Sequence, residues 1–89
     1  MSIHFTKNVH FTKLVRVEGR LREFNFRKMG GPAEEKFSVD TVDLRGNRIM
    51  FFMKKENENW KINSGLVPVW VTQSEANLNE MIKEELNLQ

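Results

Sequence analysis

The sequence predicts an α+β fold: a twisted antiparallel sheet of five or six strands, closed as a roll or a partly open barrel, with one C-terminal α-helix packed on it. Three observations carry that expectation. Apolar residues recur with the two-residue rhythm of half-buried strands over residues 3–72. A hairpin signal stands at Asp43-Leu44-Arg45-Gly46. Helical spacing takes over only near the end, about residues 73–87. At 89 residues the chain is expected to be a single domain, long enough for one modest core.

The first strand is read from a repeated tetrapeptide, HFTKNVHFTK, spanning His4 to Lys13. Ile3, Phe5, Val9 and Phe11 are odd-numbered, whereas His4, Thr6, Asn8, His10 and Thr12 are even, so one face is apolar and the other polar. The repeat is not a paired metal site. On a strand its two histidines lie about 20 Å apart, and on a helix they point to different sides. No cysteine or further histidine is present to complete a shared zinc site.

The odd phase continues through Val15, Val17 and Leu21 and then switches to Phe24 and Phe26. A turn near Thr12 and Lys13, with a bulge or bend between Gly19 and Glu23, would divide so long a run. Gly30-Gly31-Pro32 and the polar residues after it read as a loop and as the chain's candidate mobile segment. It is no phosphate loop, because its glycines run into Pro, Ala and two carboxylates instead of Gly-Lys-Ser/Thr.

Asp43 and Gly46 occupy the first and fourth positions of a type I turn that leads into a left-handed glycine. Pairing Asp43 with Asn47 sets Thr41 opposite Ile49, Val39 opposite Phe51 and Phe37 opposite Met53, and a slip of one residue would replace that apolar face by Lys36, Ser38 and Asp40. A second two-residue loop at Glu56-Asn57 would set Met53 across from Trp60 and Phe51 across from Ile62, with Lys55 beside Glu58; a four-residue loop is the alternative. Val42, Leu44, Met50 and Phe52 make the opposite face partly apolar, so part of it is expected to be covered. Residues 67–72 read as an edge strand or extended connector, since Pro68 lacks a backbone donor. Beyond them Thr72 and Glu75 fit a capping box, and Leu78, Met81, Ile82 and Leu86 form the apolar stripe of a helix whose other face is acidic.

Composition narrows the chemistry. The absence of cysteine excludes disulfides, Fe–S clusters and thiol nucleophiles, and suits the cytoplasm. No apolar run is long enough for a signal peptide or a membrane span. The four serines have no nucleophile motif around them, and the paired carboxylates Glu34-Glu35, Asp40-Asp43 and Glu56-Glu58 fall in loops or on strand faces. A non-enzyme is therefore expected, with no cofactor and no metal.

The leading expectation is a protein-interaction or self-associating module that binds a protein partner or forms a homodimer, with Trp60 and Trp70 as candidate anchors. Residues 1–28 hold seven Lys or Arg against two Glu, a balance of +5, whereas residues 29–89 hold seven against ten acids, a balance of −3. That polarity gives the alternative, single-stranded nucleic-acid binding by residues 16–28. There Arg16, Arg20, Arg22, Arg27 and Lys28 would contact phosphates while Phe24 and Phe26 stack on bases. A small-molecule pocket between helix and sheet is the further alternative.

Overall fold

A computed structural model describes residues 9–30 and 35–88. Five strands, β1 (His10–Val17), β2 (Arg20–Met29), β3 (Lys36–Val42), β4 (Arg48–Glu56) and β5 (Asn59–Ile62), form one antiparallel meander in sequence order. A single helical turn, α1 (Val69–Thr72), leads into the long helix α2 (Glu75–Leu88). The sheet curls into a half-barrel, and the helices lie in its concave side. The first copy of the tetrapeptide and Gly31 to Glu34 of the expected mobile loop lie outside the described residues.

The hairpins explain the register. β1 runs straight through Thr12 and Lys13, so the expected turn there is absent. The reversal falls instead at Glu18 and Gly19, both with positive φ (51° and 80°), the type I′ pattern whose twist matches flanking strands. This tight turn also explains the change of phase: Val17 pairs with Arg20, Val15 with Arg22 and Phe11 with Phe26, so odd residues of β1 share a face with even residues of β2. No bulge is required.

The β3–β4 hairpin has the expected register, with Thr41 opposite Ile49, Val39 opposite Phe51 and Phe37 opposite Met53. Its turn is held by Asp43, whose carboxylate accepts the N–H groups of Arg45 (2.9 Å) and Asn47 (2.8 Å), and Gly46 supplies the left-handed residue (φ 87°). The next turn differs from the expectation by one position. The loop is Asn57-Glu58, both at positive φ, so Lys55 rather than Met53 faces Trp60, and Met53 faces Ile62. Asn tolerates the left-handed region better than Glu, which favours Asn in the first loop position.

Residues 67–72 are not a strand. Pro68, extended at φ −61° and ψ 152°, caps α1, and its carbonyl accepts the N–H groups of Val71 and Thr72. A proline can stand there because no donor is required of it. The capping box does not form either. Thr72 ends α1, the Ser74 carbonyl accepts the Leu78 N–H, and the Glu75 carboxylate is engaged by the sheet.

The core fills the concavity. Phe24, Phe26, Phe37, Phe51, Val39 and Met53 from the sheet meet Val71, Leu78 and Ile82 from the helices, all essentially inaccessible. Burying each phenylalanine contributes about 2–3 kcal/mol. Phe11 stacks on Phe26 at 4.6 Å, and Trp60 meets Phe37 edge-on at 5.0 Å. Lys13 reaches Glu85 of α2 (3.6 Å), so the helix bridges from β5 across to β1.

Candidate functional site: two unlike sheet edges

An open sheet ends in two strands whose outer N–H and C=O groups have no partner within the sheet. At β5 those outward residues are Trp60 and Ile62, because Asn59, Lys61 and Asn63 bond to β4. Both N–H groups are met by helix side chains. Asn79 Oδ1 accepts from Trp60 at 2.7 Å, and a Glu75 carboxylate oxygen accepts from Ile62 at 2.8 Å. Asn79 also donates to Asn59 Oδ1 (3.1 Å), which Lys83 bonds as well. Helix α2 thus closes this edge chemically as well as sterically.

At β1 nothing comparable happens among the described residues. The two-residue hairpin makes Val17 and Arg20 a hydrogen-bonded pair, and the Lys28 N–H donates to the Val9 carbonyl (2.9 Å), so the odd residues of β1 bond to β2. His10, Thr12, Leu14 and Arg16 therefore turn their backbone groups away from the sheet. All four are exposed, Leu14 to 58%. No proline or bulge interrupts this edge.

The convex face adjoins it. Its outward positions include Leu14, Leu21, Val42 and Met50, each about half exposed, so this apolar surface is left uncovered. A hydrogen-bonded chain crosses the strands beside them: Thr12 to Asn25 (2.7 Å), Asn25 to Asp40 (2.9 Å) and Arg48 to Asp40 (2.8 Å). Asn25, Asp40 and Arg48 of this chain line a groove of about 460 Å³ bordered by His10, Arg27 and Met50. A smaller cleft, about 270 Å³, lies between α2 and the β4–β5 hairpin beside Trp60, Lys83 and Leu86. Further along the convex face Lys36, Lys54 and Lys61 stand directly opposite one another on three adjacent strands. Lys36 covers the ring of Phe52 at 4.6 Å.

The residues expected to bind nucleic acid are divided between surfaces. Arg16 and Arg27 point outward, and Arg20 is exposed at the hairpin end. Phe24 and Phe26 lie in the core, so neither ring is presented for stacking. Lys28 is half-buried on the concave side, paired across from Phe37. Arg22 faces inward and is 8% exposed; its guanidinium lies 4.3 Å over Trp70 and donates to the Val42 carbonyl (3.2 Å), while Nε has no partner. Of the two tryptophans expected as anchors, Trp60 is buried in the core and Trp70 is half-buried over Arg22.

Among the described residues the carboxylates are tied to architecture or solvated. Asp40 belongs to the polar chain, Glu56 and Glu58 are exposed at a hairpin tip, and Glu34 lies outside the described residues. The Asn47 N–H holds the Asp43 carboxyl below the usual carboxylate range, with the Asn47 side chain, the Arg45 N–H and the Arg45 charge adding to the shift. Among the described residues no three His, Asp or Glu converge as metal ligands, and no helix is long and apolar enough to cross a membrane.

Sequence reading missed the open edge because hydrogen-bond direction is a property of the turn, not of residue type. Its visible trace is Leu14, an apolar residue on the polar parity of β1. Asn79 left a similar trace as an amide beside the apolar stripe of α2. No protein-family model matches the chain, and no curated protein or solved structure is significantly similar to it.

Proposed function

We propose that the protein is a non-catalytic interaction module that takes an extended segment of a protein partner onto the β1 edge. The observation that supports this reading is the asymmetry of the edges: Asn79 and Glu75 satisfy the outer donors of β5, whereas His10, Thr12, Leu14 and Arg16 keep theirs turned outward. Strand addition uses such an edge for main-chain bonds and the flanking surface for selectivity. Leu14, Leu21 and Val42 would supply that surface. The cysteine-free composition suits a cytoplasmic module.

A capped peptide of alternating Val and Thr tests the reading in an amide NMR titration. Shifts centred on His10 to Arg16 are expected. No shift in the monomeric chain, or shifts centred on β5, would overturn it.

A second reading is favoured by the lysine row. Three ammonium groups facing one another without intervening acid cost stability, and Lys36, Lys54 and Lys61 beside Phe52 would suit single-stranded nucleic acid on the convex face. Its signature is binding to short single-stranded RNA or DNA that weakens steeply with salt. Salt-independent binding, or none at low salt, would reject it.

A further inference from the structure

We infer that the partner of the β1 edge is a second copy of this chain, joined antiparallel about a two-fold axis at Leu14; this rests on the interaction reading above. A two-fold pairing through the outward residues has three central registers. An axis at Lys13 would bring two ammonium groups together. An axis at Thr12 would set Phe11 against the partner's Lys13 and leave the two Leu14 side chains apart.

An axis at Leu14 keeps the two ammonium groups apart and brings the two Leu14 side chains together. Leu14 then faces the partner's Leu14 on the convex side, and Thr12 faces the partner's Arg16. On the concave side Lys13 faces the partner's Val15 and Phe11 faces the partner's Val17. The Lys13 charge already has an acid, since Glu85 lies 3.6 Å away. An inward lysine on an edge strand ordinarily discourages pairing. Here its ammonium is held by the helix, so the edge stays compatible with a strand opposite.

The register also joins the two convex faces. Each copy exposes 58% of Leu14 and of Leu21, one strand apart beside the edge. Pairing would place the two Leu14 side chains in contact and run both sheets into one ten-stranded surface, five strands from each copy. Leu14 is thus the residue that the isolated chain leaves exposed and the dimer covers.

The native chain has no cysteine, so introduced thiols report the register directly. Hydrogen-bonded antiparallel partners lie about 5.5 Å apart, within disulfide reach. Leu14→Cys is expected to form a disulfide dimer by itself. Thr12→Cys and Arg16→Cys are expected to cross-link only when mixed. In sedimentation of the full chain, Leu14→Pro should weaken self-association about tenfold or more, because its N–H points away from β2 and serves only the dimer. Leu14→Glu, which sets two carboxylates at the axis and changes no backbone donor, should do the same.

A chain that stays monomeric at the highest concentration, or Thr12→Cys cross-linking alone as fast as Leu14→Cys, would overturn the inference. If such a monomer still binds the Val/Thr peptide at β1, self-pairing fails while the interaction reading stands. If it binds neither, both fail.

Discussion

Replacing Asn79 by alanine tests whether α2 closes the β5 edge by chemistry or merely by contact. The side chain is 9% exposed and makes two bonds, accepting from the Trp60 N–H at 2.7 Å and donating to Asn59 Oδ1 at 3.1 Å. Truncation leaves the buried Trp60 donor without a partner, a cost of about 1–3 kcal/mol. Asn59 keeps Lys83, so the second loss is about 0.5–1 kcal/mol. The better helix propensity of alanine offsets about half a kcal/mol. The net is about 2 kcal/mol, which for a chain of this length lowers Tm by about 8–16 °C. Urea and thermal unfolding followed by tryptophan fluorescence measure it, with Asn79→Asp, which keeps the acceptor, expected to lose less. A loss below about 0.5 kcal/mol for Asn79→Ala would show that α2 covers the β5 edge by contact alone, because leaving a buried donor unsatisfied costs more than that.

Other perturbations follow from single side chains. Asp43 has its carboxyl held below the ordinary range in the folded chain, so its contribution is complete above about pH 4 and is lost as pH falls through the lowered folded value. Acid titration of Asp43→Asn should therefore show a shallower fall in stability below that pH than the native chain. Arg22→Met should be no less stable than the native protein in urea unfolding, since the buried guanidinium has an idle Nε and no ion pair among the described residues. A clear loss would show that the stacking on Trp70 and the bond to Val42 outweigh that burial. Lys54→Glu converts two like-charge contacts in the lysine row into opposite ones, and should raise stability by a few tenths of a kcal/mol at low salt. The gain should shrink as salt is added.

Much of the fold was legible where one local rule and one global rule agreed. In the β3–β4 hairpin, Asp43 and Gly46 name the turn and the apolar parity of Phe37, Val39, Phe51 and Met53 names the register, so both point to one pairing. At Asn57-Glu58 the parity was preserved under a shift of two residues in the pairing, and no glycine marked the turn, so the inward face was readable but not the partners. Around Pro68 the missing donor was compatible with a sheet edge or with a helix start, and packing of Val71 into the core decided for the helix. The candidate site was less legible still. Whether Arg22 and the two β2 phenylalanines faced out or in depended on a turn at Glu18-Gly19 that alternation alone does not locate. The contrast between the edges arises between segments distant in sequence, with Asn79 meeting Trp60 and nothing described meeting Leu14.

Amide hydrogen exchange, read residue by residue at low and high protein concentration, distinguishes an open β1 edge from a closed β5 edge. Trp60 and Ile62 should be protected at every concentration. The amides of His10, Thr12, Leu14 and Arg16 should exchange freely in dilute solution and slow together as concentration rises. Protection of those four in the dilute monomer would contradict an open β1 edge, and free exchange at Trp60 and Ile62 would contradict a closed β5 edge.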